Sequence, residues 1–161
     1  MSEALVKRNQ KVAFYGVEED GKTVFCRMTG FTEMAKTANP KEYARQYVDE
    51  AYERKDIVGY SPEYAFSFDM FLDNAVHGDI AAICDEEKLG SDAVRSIVIV
   101  DMTQAGADGA YPAVKRDFSV VADREGDSTD AYTYSGSLKV CGDKIVGTAR
   151  STDGFMTVTF Q

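Results

Sequence analysis

Hydrophobic and polar positions alternate along most of the chain in short runs, and turn residues separate those runs. Lys11–Val17 and Thr23–Met28 read as two strands joined through Glu19-Asp20-Gly21-Lys22. Asp-Gly between apolar runs is a strong hairpin signal, because both residues tolerate the positive φ that a tight turn needs. Toward the other end, Gly142-Asp143 separates Tyr132–Cys141 from Lys144–Arg150, and Asp153-Gly154 separates that run from Phe155–Phe160. This spacing predicts a three-stranded meander. Tyr64, Phe66, Phe68 and Met70 share one face of a strand, with Ala65, Ser67 and Asp69 on the other. Ser96–Met102 is apolar on both faces, as a central strand would be. Along Ala113–Glu125, Val114, Phe118, Val120 and Ala122 oppose Lys115, Asp117, Ser119 and Asp123.

One segment has the helical period. Val76, Ile80, Ile83 and Cys84 fall on one helical face, and Asp73 or Asn74 can cap its start. Gly78 weakens the first turn, so the regular part is expected from about Asp79, and Gly90 offers the left-handed stop. This helix would lie on a mouth or flank of the strands. Thr29–Pro62 follows neither period. It is long, polar and rich in tyrosine, and connections beyond ~12–15 residues inside a domain are usually functional or disordered. Amphipathic tyrosines favour interfaces. Two readings stay open: an extended hairpin arm ordered against another subunit, or a helix over Lys41–Arg54 started by Pro40.

Composition narrows the function classes. The 161 residues fit one domain, and 44% hydrophobic with 28% charged residues is ordinary for a globular protein. No apolar run reaches the ~20 residues that span a bilayer, and residues 1–8 carry no apolar stretch of signal-peptide length. Eighteen basic against 27 acidic residues leave a net charge of −9. Phosphate backbones are bound by basic surfaces, so a chain of this sign repels nucleic acid and anionic membranes. Cys26, Cys84 and Cys141 are odd in number and far apart, and read as reduced, partly buried thiols.

The motifs that carry chemistry fail on physical grounds. Gly16–Thr23 satisfies the phosphate-loop pattern G-x-x-x-x-G-K-[ST], but Glu18, Glu19 and Asp20 place three negative charges in the cradle. A strand rather than a helix follows it, so no helix N-terminus faces a phosphate. The acidic loop Asp123–Asp130 has carboxylates at alternating positions, yet its glycine is misplaced for a calcium loop, and Tyr134 stands where the final Glu belongs. One histidine, His77, and three scattered cysteines make no zinc site or catalytic triad. His77 reads as a capping or packing residue. Asp85-Glu86-Glu87 ends the helix against the dipole, which has a use only if those charges face a partner. No cofactor, no metal and no enzymatic activity are expected.

The order of elements carries a resemblance. An N-terminal hairpin is followed by a long extended segment, then Asp56-Ile57-Val58-Gly59-Tyr60-Ser61-Pro62-Glu63-Tyr64-Ala65-Phe66-Ser67-Phe68. Asp73-Asn74-Ala75-Val76-His77 then leads into the helix, and a strand ending in Val100-Asp101 precedes the C-terminal strands. From about Lys11 to Phe160, and most of all over Glu42–Asp101, this resembles the major tail tube protein of tailed bacteriophages, especially the long non-contractile kind. The resemblance implies a mainly β fold: a sandwich or barrel of antiparallel strands with one flanking α-helix and a long extended loop or hairpin arm. It implies a single domain over residues 1–161, with an N-terminal arm at 1–10 and an inter-subunit loop at 29–62.

It further implies hexameric rings that stack into a tube around a tape-measure protein, between tail-tip and tail-terminator proteins. DNA later passes through without specific binding. The chain would reside in the virion tail, after assembly in the host bacterial cytoplasm, and would not bind a membrane. Inter-subunit contacts are expected of Tyr43, Tyr47, Tyr52, Arg54, Asp56 and Tyr60, and channel lining of Asp69 and Asp117. A hydrated inner wall would suit Ser67, Ser119, Ser135, Ser137, Thr157 and Thr159. Alternatives are a contractile-tail, bacteriocin or secretion-system tube, a single-ring terminator or connector, and, more remote, a soluble ligand-binding barrel.

Overall fold

Asp20 and Gly21 adopt positive φ (51° and 78°) and turn β1 (Lys11–Glu19) back into β2 (Lys22–Arg27), as the Asp-Gly signal predicts. The structure, a computed structural model, describes residues 3–161; residues 1–2 of the expected N-terminal arm lie outside the described residues. On its other edge β1 pairs with β7 (Val94–Asp101), and β7 pairs with β8 (Tyr111–Glu125). β8 pairs with β10 (Ile145–Arg150), β10 with β11 (Thr157–Phe160), and β11 with β2. The circuit β1-β7-β8-β10-β11-β2 therefore closes as a six-stranded antiparallel barrel. From β8 the sheet also continues through β9 (Thr133–Val140) and β6 (Glu63–Asp69) to β3 (Phe31–Thr37).

β8 serves both parts because it is 15 residues long. Tyr111–Lys115 pairs with β10 and Phe118–Glu125 pairs with β9, along the same edge. β9 and β10 thus lie end to end and do not pair with each other, which corrects the predicted meander. Gly142-Asp143 does not reverse the chain. It forms a short excursion between two collinear strands. The Cys141 amide donates to the Asp117 carbonyl (3.0 Å) and Arg116 Nε donates to the Gly142 carbonyl (2.8 Å), which holds the excursion to β8. A bulge between Ala122 and Arg124 brings the β8 backbone onto Gly136, where any Cβ would lie 1.8 Å from the Val121 carbonyl oxygen.

Two cores lie on opposite faces of the shared wall β1-β7-β8. Val12, Phe14, Phe25, Val98, Val100, Ala113, Ala149 and Val158 fill the barrel. Tyr15, Ile97, Phe118, Val120, Leu138, Phe66, Phe68 and Tyr134 form the second core, which α1 (Ala75–Asp85) covers. This explains why β7 is apolar on both faces: Val98 and Val100 enter the barrel while Ile97 faces the helix. The helix flanks the outer wall of the barrel, against β1 and β8.

Asn74 caps α1, its side chain accepting from the amides of Val76 (3.0 Å) and His77 (3.2 Å). The helix already begins at Ala75, since Gly78 faces open space and costs only its propensity. It ends before the predicted glycine. Glu87 takes the left-handed position (φ 52°), with the Lys88 amide on the Ile83 carbonyl (3.1 Å) and the Glu87 amide on the Cys84 carbonyl (3.3 Å). Gly90 instead opens the short 3-10 turn Gly90–Ala93.

His77 is fully buried and stacks on Phe68 at 4.4 Å between ring centroids. Its Nδ1 accepts from the Phe71 amide (3.2 Å) and its Nε2 lies 2.6 Å from the Thr29 carbonyl, which fixes the neutral tautomer with the proton on Nε2. Burial holds its pKa below the usual value. It packs, as expected, and joins the start of β3 to the start of α1.

Candidate assembly surfaces

The structure divides the tyrosine-rich segment. Phe31–Thr37 joins the main sheet as β3, with Phe31 and Met34 against the second core. β4 (Pro40–Arg45) and β5 (Arg54–Tyr60) pair only with each other among the described residues. The segment is therefore a hairpin arm and not a helix. Its base is tied down by Asn39, whose Nδ2 donates to the Ser61 carbonyl (3.1 Å), and by the Ser61 amide on the Ala38 carbonyl (3.2 Å).

All six residues expected at inter-subunit contacts lie on this arm. Tyr43 is on β4, Tyr47 and Tyr52 are in the tip, and Arg54, Asp56 and Tyr60 are on β5. Tyr43 stands opposite Asp56, and Arg45 opposite Arg54. At the tip Arg54 pairs with Glu50 (2.7 Å) and covers the Tyr47 ring (5.6 Å). Val48, Tyr52, Val58 and Tyr60 are 64–108% exposed, an unusual concentration of large apolar groups on an isolated two-stranded sheet.

A second surface is the sheet face opposite the aromatic rings of β6. Ser67 stands beside Ser135, Ala65 beside Ser137, and Ser137 beside Val121; Ser119 lies on this face of β8 beside Lys139. Four of the six predicted small polar residues are thus brought together. Thr157 and Thr159 are not, because Val158 between them enters the barrel and turns them to the barrel's outside. Asp69 and Asp117 both lie on the polar face but far apart. Asp69 pairs with Thr133 and Asp117 lies beyond the Lys139–Ser119 pair, which places them at least ~20 Å apart along the strands. The Asp117 carboxylate accepts from Ser96 Oγ (2.5 Å).

The charges at the end of α1 form a third surface. The ligand atoms of Cys84, Asp85 and Glu125 lie within 4.8 Å of one another. Tyr134 donates to Asp85 (3.4 Å) and Tyr132 to Glu125 (2.9 Å). Burial, then Glu125 and Asp85, push the Cys84 thiol up, so it stays protonated. Cys26 and Cys84 are half-buried as expected, whereas Cys141 is exposed. The phosphate-loop match is the β1–β2 hairpin. The acidic loop joins β8 to β9, with Asp127 engaged by Thr133 Oγ1 (2.5 Å) and Arg124 (3.3 Å).

Two features were not anticipated from sequence. Asp79 on α1 accepts from Tyr15 (2.5 Å) and from Arg95 Nε (2.8 Å), clamping the helix to β1 and β7. Burial, and then Asp79, drive the Tyr15 phenol far above its ordinary pKa. The other is a groove of about 310 Å³ with Ala13, Met34, Tyr64 and Ile99 at its base and Lys7, Arg8, Lys11 and Lys36 around it. The run Lys7-Arg8-x-x-Lys11, basic in an acidic chain, was the available signal. Arg8 is fixed there by donating to the carbonyls of Lys11 (2.7 Å) and Met34 (2.9 Å).

No protein-family model and no curated protein matches the chain. Solved structures do. A chain in the tail of an empty gene transfer agent particle, from helical refinement with C6 symmetry, has a TM-score of 0.62 at 11% identity, covering 88% of this chain and 98% of that one. A chain in the sixfold-symmetrised baseplate of the anti-feeding prophage has 0.52 at 9% identity, with coverages of 91% and 97%. A chain in the sheath/tube terminator of an extracellular contractile injection system has 0.51 at 14% identity, with 91% and 99%. At such identities the shared property is the fold, and it extends over nearly the whole chain.

Proposed function

We propose that this chain is the tube subunit of a phage-like tail, forming rings, six copies to a ring, that stack into a hollow conduit for DNA. The observation that carries the reading is the fold: a closed barrel extended by a sheet and flanked by one helix, alike over nearly its full length to a chain in a sixfold tail. The β4–β5 arm supports it, since an isolated hairpin bearing Tyr43, Tyr47, Tyr52, Arg54, Asp56 and Tyr60 lacks a core of its own and gains one against a neighbouring copy. In this reading the β4–β5 arm within residues 29–62 and the N-terminal arm reach between subunits, while β3 stays in the subunit's own sheet.

The polar sheet face is the wall of the conduit, with Asp69 and Asp117 adding negative charge. A wall of that sign does not hold DNA, and serines keep it hydrated. Tape-measure, tail-tip and terminator proteins are the remaining partners, and the virion tail is the destination. A soluble ligand-binding barrel is disfavoured because Phe14, Phe25, Val98 and Val100 occupy the barrel interior.

Negative-stain electron microscopy of the concentrated protein, alone and with tail-tip proteins, tests the proposal. Hollow stacked tubes are expected. Single rings that never stack would assign a terminator or connector instead, and monomers under both conditions would overturn the reading.

A further inference from the structure

The strands give the subunit two unlike ends. Every pairing in the main sheet is antiparallel, so β1, β8 and β6 run one way and β7, β9 and β3 the other. The α1 terminus meets Glu125 at the end of β8 and Tyr134 at the start of β9. The basic groove lies where β1 and β6 begin, bounded by Lys11 and Tyr64. Acidic knob and basic groove therefore occupy opposite ends of the same strands.

Their chemistry is complementary. Leu89, 82% exposed, follows Glu86, Glu87 and Lys88 and precedes Asp92, so the knob carries three acidic groups against one lysine. The groove offers an apolar base and three lysines around it. Among the described residues, none of Lys7, Lys11, Lys36, Glu86, Glu87 and Asp92 takes part in an ion pair. Copies of a chain with net charge −9 repel one another, and facing opposite charges offset that repulsion where they meet. We propose that the groove of one copy receives the Leu89 knob of the next. This deepens the tube reading and rests on it. A contact between two different patches is heterologous, so it repeats from copy to copy rather than closing a dimer.

Salt screens both this attraction and the general repulsion, so exchange of charges is the cleaner probe. One variant carries Lys7→Glu, Lys11→Glu and Lys36→Glu; a second carries Glu86→Lys, Glu87→Lys and Asp92→Lys; a third carries both sets. Arg8 is kept because it holds backbone carbonyls. Circular dichroism and melting confirm folding. Sedimentation and negative-stain microscopy read assembly. Each single set should raise the concentration needed for tubes at least about 100-fold, and the double set should restore it to near wild type. Leu89→Asp, a single exposed change, should raise it at least about tenfold and serves where a triple variant misfolds.

Tubes from wild type with equal assembly of either single-set variant would overturn the contact and leave the tube reading intact. A folded double-set variant that fails to assemble would also overturn it. A wild-type protein that stays monomeric even with tail-tip proteins would remove the tube reading and this contact together.

Discussion

Replacing residues 41–59 by Asn-Gly separates the role of the arm from the stability of the subunit. Pro40 and Tyr60 are directly opposed partners, so a two-residue turn can join them, and the Asn39–Ser61 bonds at the base remain. None of the deleted residues belongs to either core. Removing surface groups of this kind changes stability by no more than about 0.5 kcal/mol, which for this length moves the melting point by ~2 °C or less. Assembly should respond on another scale. The deletion removes Tyr43, Tyr47, Val48, Tyr52, Ile57 and Val58, all 45–108% exposed. At only ~1 kcal/mol recovered for each on docking, the loss is ~6 kcal/mol, or about four decades in the concentration that supports tubes. Scanning calorimetry and negative-stain microscopy on the same samples give both readouts. Tubes of normal length at wild-type concentration would refute the assembly role. A fall of more than ~5 °C would show instead that the arm belongs to the monomer's fold.

Asp79→Asn removes the charge that Arg95 and the buried Tyr15 hydroxyl share, and should cost about 2–3 kcal/mol with a melting point lowered by ~5–10 °C; Tyr15→Phe, which takes the hydroxyl away, should cost about 1 kcal/mol, and equal losses for both would refute the clamp. His77 is the chain's one histidine and is held below its usual pKa by burial, so the unfolded chain takes up a proton that the folded chain refuses. Stability should be full above pH ~6.5 and fall as pH drops from there toward the folded value, with a slope of at most one proton, ~1.4 kcal/mol per pH unit; urea midpoints at pH 7.5 and 5.5 that coincide would contradict this. Glu87→Gly relieves a left-handed residue and should raise stability by about 0.5–1 kcal/mol, an unchanged denaturation midpoint counting against strain at that position. Asp69→Lys with Asp117→Lys should slow DNA ejection more than it hurts assembly, and normal ejection from intact particles would remove both residues from the conduit wall.

The parts of the fold that sequence conveyed are those decided by neighbours in the chain. Asp20-Gly21 specifies its hairpin because two adjacent residues can supply both positive φ values. Gly142-Asp143 looks the same in sequence and does something else, because the outcome is set by a distant strand long enough to take two partners on one edge. The helix start was legible in Asn74, whereas its stop fell to Glu87, a residue with no propensity for the left-handed region. The tyrosines marked 29–62 as unusual but left a hairpin arm and a helix over Lys41–Arg54 both open, and the division of 29–62 between sheet and arm depends on Phe31 and Met34 finding the second core. Alternation placed Ser67, Ser119, Ser135 and Ser137 on a single face, yet it assigned Thr157 and Thr159 to the same surface because period two tells faces apart without saying which side a barrel encloses. The Asp79–Arg95–Tyr15 clamp joins residues 16 and 64 positions apart and left no local trace.

The double use of the wall β1-β7-β8 bears directly on where a conduit can run. One face of this wall is consumed by the barrel interior, packed with Phe14, Phe25, Val98 and Val100. The other is consumed by α1 and the aromatic rings of β6 and β9. Neither leaves a channel within a subunit, and a six-stranded barrel is too narrow to hold both side chains and a passage. The broad face with small polar residues is the side of β9 and β6 turned away from the second core. In the proposed tube the conduit would therefore run between copies, with β6 and β9 as its wall. The strands of that proposed wall lie between the acidic knob on one side and the basic groove on the other, so lining and stacking would be set by one strand direction. Reversing the charges of the two ends together should then preserve tube diameter while a single reversal raises the concentration needed for stacking, a separation that cryo-electron microscopy of the double-set tubes can measure.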